Sequence, residues 1–248
     1  MKKSFHFGFA LLVLAPQWML IKSIPVPGVA PNSTREETAS VIESQAGEAK
    51  PTTLEVPNAP VPTRILVQSP AETDTELQII CLFESTPQNT LHGSLVEANE
   101  KLKGLLDKIR KPALFRGELG ETIVIVPPVG SLGARKLLII GLGDSQNVTL
   151  ERMELVGSIV YRESNRLGVA HPFFAPTILD GGVTKFNTGD VAERFYAGFL
   201  RAVRLDKLLK DDGAAPAPAV QDLTFLAGAT HSADTQHGFE RAIANSAN

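Results

Sequence analysis

The stretch RKLLIIGLGDSQNVTL, residues 135–150, decides how the rest of the chain reads. Lys136 to Ile140 is a short apolar run with β-branched residues, halted by Gly141 and Gly143. A run with no polar alternation reads as a strand buried on both faces. A polar loop follows, and Asn147 or Thr149 can cap the first free amides of a helix. Strand, glycine turn and helix in succession form the repeating unit of α/β folds, where ligands settle at the carboxyl ends of strands. The loop residues Gly141, Gly143, Asp144 and Ser145 are therefore the first place to look for a site.

Working outward, Leu77 to Phe83 is a second strand of the same kind. Leu95, Ala98, Leu102, Leu105, Leu106 and Ile109 then recur at spacings of three and four, one apolar stripe on a helix that ends before Pro112. Ala113 to Arg116 and Glu121 to Val126 read as strands either side of a glycine turn. Beyond the central stretch, a helix from about Leu150 to Arg166 turns Met153, Val156 and Val160 inward, and Gly157 marks a close crossing of that helix over the sheet. Val169 to Ile178 reads as a strand that Pro172 and Pro176 confine to an edge. A helix from about Asp190 to Leu209, a strand over Leu223 to Ala227, a loop and the opening of a further helix at Gln236 complete the order. The succession β-α-β-β-β-α-β-α-β specifies an α/β fold, a three-layer α/β/α module with a mixed sheet.

The N-terminal quarter is different in kind. Lys2 and Lys3 precede an apolar segment over residues 5–21, followed by small residues that allow cleavage after Ser23 or Gly28. This pattern predicts a signal peptide over 1–28 and an exported protein, periplasmic or secreted, with a retained membrane anchor over 5–21 as the alternative. Residues 29–63, rich in Pro, Ser, Thr, Glu and Ala, read as a flexible linker. The folded domain is expected over 64–228, with 229–248 as the start of a C-terminal helix. Asn32-Ser-Thr34 and Asn147-Val-Thr149 fit the short glycosylation pattern.

Composition excludes several classes. A net charge of −3 over 248 residues gives no electrostatic basis for holding nucleic acid or an anionic membrane. The single cysteine, Cys81, rules out an internal disulfide and sits in an apolar run as a small core residue. His92, His171, His231 and His237 show no metal-ligand spacing. Gly130-Ser-Leu-Gly133-Ala-Arg-Lys136 resembles a phosphate loop on paper, but its lysine leads into a strand where the mechanism needs a helix. Gly141-Leu-Gly143 lacks the third glycine of the dinucleotide fingerprint.

Three local signatures in order carry a family resemblance: Gly117-Glu-Leu-Gly120-Glu121-Thr-Ile-Val124; Arg135 through Gly143 with Thr149-Leu-Glu151 after it; and Ala197-Gly-Phe-Leu200 running to Arg204-Leu-Asp206-Lys207. Together with Glu240-Arg-Ala-Ile-Ala-Asn245, the chain from Leu77 onward resembles the N-terminal domain of the leucyl aminopeptidase, or cytosol aminopeptidase, family. The resemblance implies a macro-domain-like fold, no catalysis by the domain itself and a part in oligomer assembly. It also implies that chemistry belongs to a separate domain, which holds two metals through lysine, aspartates and a glutamate within the hallmark N-T-D-A-E-G-R. The nearest approach here, Asn187-Thr-Gly-Asp190-Val-Ala-Glu193-Arg194, has its acids three apart and an extra glycine. Asn187 or Thr188 capping a helix, with Asp190 and Glu193 in its first turns, explains that stretch better.

Three functions from different classes follow. The first is an exported, non-catalytic binding or assembly module with a protein partner or a second copy of itself, and no cofactor. The second is a subunit or fragment of a two-metal leucyl aminopeptidase whose catalytic domain lies on another chain; Phe239 and Ile243 would then need that partner to cover them. The third is a macro-like binder of a nucleotide or ADP-ribose, its phosphate or ribose held by backbone amides of the Gly141 to Gln146 loop, although Asp144 would repel a phosphate there.

Overall fold

A computed structural model describes residues 51–86 and 90–246. The segment 1–28 and the first part of the spacer, to residue 50, lie outside the described residues. Seven strands form one mixed sheet in the order β1-β2-β7-β6-β3-β5-β4. These are β1 (Thr53–Glu55), β2 (Thr63–Leu66), β3 (Leu77–Leu82), β4 (Thr122–Ile125), β5 (Lys136–Gly141), β6 (Phe173–Ala175) and β7 (Leu223–Leu226). The helices are α1 (Gly93–Lys101), α2 (Leu105–Arg110), α3 (Glu151–Arg166), α4 (Thr188–Asp211) and α5 (Ser232–Ser246), with a 3-10 turn at Ala229–His231.

The layers follow from the alternation of side chains along the buried strands. Ile79, Cys81, Leu138, Ile140 and Phe225 face α3, α4 and α5, where Met153, Val156, Phe195, Phe199 and Phe239 cover them. Ile80, Leu82, Leu137, Ile139 and Leu226 face the other way, onto Leu95, Ala98 and Leu102 of α1 and its end and Leu106 of α2. The three-layer α/β/α architecture expected from the sequence is the one observed. β5 pairs in parallel with β3 (Ile79↔Leu138) and antiparallel with β4 (Val124↔Leu138), so both faces and both edges of the decisive strand are occupied.

Several elements depart from the sequence reading, each for a local reason. Residues 51–62 are not all spacer. Thr53–Glu55 pairs antiparallel with β2, and Val56 is buried in the core, so the fold begins before Arg64. No strand forms over Ala113 to Arg116, where Ala113 takes a positive φ and the chain turns. The single helix expected over 95–109 breaks into two at Lys103 and Gly104, both with positive φ. β6 is no edge strand: it lies between β7 and β3. Pro172 and Pro176 fall just outside its three residues, so its own amides remain free to pair. Gly157 crosses helix α4 and not the sheet, since a Cβ there would stand 1.9 Å from the Phe195 carbonyl oxygen of α4. α5 belongs to the domain, because Phe239 is fully buried with its ring 4.6 Å from Tyr196 and 5.1 Å from Phe225.

Candidate functional site

The sheet order brings the carboxyl ends of β2, β7 and β6 side by side, and the chain leaves each of them in a different direction. Between the diverging segments lies a cavity of about 540 Å³. Val67 to Pro70 after β2, Pro176 to Asp180 after β6 and Ala227 to Gly228 after β7 supply three walls. The start of α4 closes the bottom with Thr188 and Val191, and Thr230, His231 and Thr235 form the remaining side. Outside strand ends is where open α/β sheets place ligands, because the side chains of successive segments diverge there and leave space. The volume is within the range of small-molecule sites.

The wall is mainly apolar, with Ile178, Val183, Val191 and Phe225 among its surfaces. Polar atoms are few and held in place. Thr177, a β-branched residue at φ +48, is fixed in that strained conformation by its own hydroxyl, which accepts from the Cys81 amide (2.9 Å) and donates to the Cys81 carbonyl (2.7 Å). Two bonds thus anchor the β6–α4 connection to β3. Asp180, farther along that connection, accepts a short hydrogen bond from the Ser94 hydroxyl, and its carbonyl accepts from the His92 amide at 2.9 Å. Ser69 donates to Glu97 at 2.7 Å. Burial pushes the Glu97 carboxyl up, but Ser69 and the Lys101 ammonium outweigh it and hold it below the usual range. The Thr188 hydroxyl oxygen is buried and finds no partner among the described residues.

The loop singled out in the sequence lies elsewhere, at the carboxyl end of β5, and its residues do not line this cavity. Its amides are largely engaged: Gly141 donates to the Glu121 carbonyl (2.7 Å), Gly143 to Gly117 (2.8 Å) and Gln146 to the Asp144 carboxylate (2.9 Å). The Arg152 guanidinium fills the turn, donating to the carbonyls of Leu142, Asp144 and Asn147 at 2.7, 2.9 and 2.9 Å. Ser145 is half-buried beside them. Neither Asn147 nor Thr149 caps α3; Leu150 stands at that position without a side-chain bond.

Around Asn187 the capping explanation fits the geometry. The Asn187 side-chain oxygen accepts from the Gly189 amide at 2.7 Å. Asp190 and Glu193 both receive the Arg241 guanidinium of α5, at 2.9 and 2.6 Å. Lys185 stands over the Phe186 ring at 5.0 Å. Among the described residues no three of His, Cys, Asp and Glu gather where they could hold a metal ion. His171 pairs with Asp222 at 2.6 Å on the opposite, amino-terminal side of β6 and β7.

Ser69, Asp180, Thr188 and His231 are thus site residues that the sequence reading missed. They come from three regions far apart in the chain, around Ser69, from Asp180 to Thr188 and at His231, and no spacing rule connects them.

Such a fold, a mixed seven-stranded sheet with a crevice at its strand ends, is that of a macrodomain. The macrodomain of Oceanobacillus iheyensis with MES bound superimposes with a TM-score of 0.52 at 14% identity, over 79% of this chain and 99% of that one. A mutant of it with ADPR gives 0.54 at 13%, over 78% and 100%. A tomato leucine aminopeptidase mutant gives 0.53 at 14%, over 73% of this chain and 36% of that one. At these identities the likeness is one of fold. The lineage comes from sequence: residues 79–202 match the model of the cytosol aminopeptidase family, N-terminal domain. The chain belongs to the cytosol aminopeptidase family, through that domain. It is 27% identical over 158 residues to a probable cytosol aminopeptidase of Roseiflexus castenholzii, covering 64% of this chain and 29% of the relative. It is 25% identical over 160 residues to one of Thermosynechococcus vestitus, covering 61% and 30%. The chain therefore spans less than a third of the length of these relatives.

Proposed function

We propose that the domain is a non-catalytic binding module of an exported aminopeptidase-family protein, with the cavity at the ends of β2, β6 and β7 as its ligand site. The cavity is the observation that carries this reading. It is apolar, of small-molecule size, and provided with a few fixed polar atoms, which is the usual composition of a binding pocket. Hydrolysis by a bridged metal pair needs several converging oxygen ligands. The acids nearest to the family hallmark, Asp190 and Glu193, are instead both paired with the guanidinium of Arg241. Peptide cleavage accordingly falls to a catalytic domain outside the matched region, on another chain in the subunit version of this reading. Lys2 and Lys3 ahead of the apolar segment 5–21 support export. Exposed Leu114, Val126 and Val129, the last two just beyond β4 at the sheet's edge, support a protein partner or self-association.

The purified chain, supplied with manganese or zinc and a leucyl anilide, is expected to show no turnover; metal-dependent release of the aniline above blank contradicts the non-catalytic role. A second reading, a nucleotide or ADP-ribose binder at the loop of Gly141, Gly143, Asp144 and Ser145, draws on the macrodomains solved with ADP and with ADPR. Calorimetry with ADP-ribose tests it, and Gly143→Val would abolish any heat that comes from that loop.

A further inference from the structure

The charge of the cavity points to a ligand class. Among the described residues lining it, Asp180 and His231 carry the ionisable side chains, and neither lysine nor arginine is present. The Asp180 carboxylate also has a defined seat. Helix α1 has no side-chain cap of its own and no acid in its first turn. Asp180 reaches across from the β6–α4 connection and takes that place: one oxygen accepts from the Ser94 hydroxyl, and the other lies 2.2 Å from where a Cβ on Gly93 would stand. A Cβ at position 93 would displace the carboxylate from this seat. The positive end of the α1 dipole is therefore already matched by a carboxylate of the protein itself. An anionic ligand entering the cavity would meet that carboxylate with no side-chain cation to offset it, in a largely apolar enclosure where unpaired charge is costly.

We propose that the cavity takes a small organic cation, an ammonium group on an apolar body, with the ammonium beside Asp180 and the body against Ile178, Val183, Val191 and Phe225. This rests on the reading of the cavity as the binding site. The Asp180 oxygen that Ser94 does not use accepts no hydrogen bond from the described residues and is available to an N–H donor. Such a charge-assisted bond is the strong kind. Phosphate-bearing and carboxylate ligands are excluded by the same charge that selects the amine.

Calorimetric titration of the full chain with three probes of nearly equal shape tests this: phenethylamine, 2-phenylethanol and 3-phenylpropionate. The expected order of affinity is amine, alcohol, carboxylate, with at least about tenfold between first and last. Salt should weaken the amine and leave the alcohol unchanged. Asp180→Asn, which keeps an acceptor for Ser94, should lower the amine to the level of the alcohol. Carboxylate binding as tight as the amine, or displacement of the amine by ADP, overturns the charge assignment while leaving the cavity as a binding site. Absence of heat from all three probes overturns the cavity reading and this inference with it; the wild-type order decides even if the variant fails to fold.

Discussion

Single residues set how closely α3 and α4 pack within the helical layer, at contacts where a larger side chain does not fit. α3 and α4 approach so closely that a Cβ on Gly157 would stand 1.9 Å from the Phe195 carbonyl oxygen, and one on Gly198 would stand 1.8 Å from that of Glu154. The Ser158 hydroxyl donates to the Gly198 carbonyl at 2.9 Å across the same seam. Backbone cannot yield as a flexible side chain can, so Gly198→Ala must push the helices apart. A loss of about 1–3 kcal/mol or more in urea unfolding is expected, and unchanged stability would show that the seam is looser than described. The phenols report on the same layer. The chain has two tyrosines, Tyr161 and Tyr196. Burial raises both, Tyr196 to about 12, against the smaller opposing effect of its hydrogen bond with Thr63. Folding thus favours the protonated phenols. The resulting stability is complete below the unfolded value of about 10 and is lost as pH rises towards 12. Phenolate absorbance at 295 nm should lag behind that of free tyrosine and rise together with alkaline unfolding; a simple titration near pH 10 in the folded chain would contradict this. Cys81, pushed far up by complete burial, should react with a thiol reagent only at the rate of unfolding.

At the scale of elements, α5 decides where the domain ends. Phe239 closes an aromatic group with Phe195, Tyr196 and Phe225. Phe239→Ala should therefore cost about 3–5 kcal/mol, measured as a shift of the urea midpoint at constant slope; a change below half of that would mean α5 is an appendage. The sequence showed the long, continuous elements well. β3 and β5 are uninterrupted apolar runs, and α3 and α4 have a full stripe, so their period survives any packing. It showed the short ones poorly. β6 is three residues between two prolines, and β1 is three residues without an apolar run of its own; both exist because neighbouring strands pair with them. Lys103 and Gly104 interrupt a helical stripe that the apolar spacing alone cannot distinguish from a continuous helix. The cavity was the least legible part, because Ser69, Asp180, Thr188 and His231 converge only once the order β2-β7-β6 is set by parallel crossovers. By contrast, the capping by Asn187 was readable, since a cap is a local contact.

For the whole molecule, we propose an N-terminal export segment ahead of the macrodomain-like domain of the cytosol aminopeptidase family, with the cavity as its binding site. If the segment works as read, chain recovered from outside the cytosol should begin at Ile24 or Val29 by intact mass; recovery of the full-length chain inside the cell would contradict export. The ligand is proposed to sit between the ends of β2, β6 and β7. Methyl-labelled spectra of the full chain, followed during titration with phenethylamine, locate it. Shifts should gather on Ile178, Val183, Val191 and Leu226 around the cavity, whereas shifts confined to Ile140, Leu142 and Val148 beside the Gly141–Gly143 turn, or none at all, would contradict it.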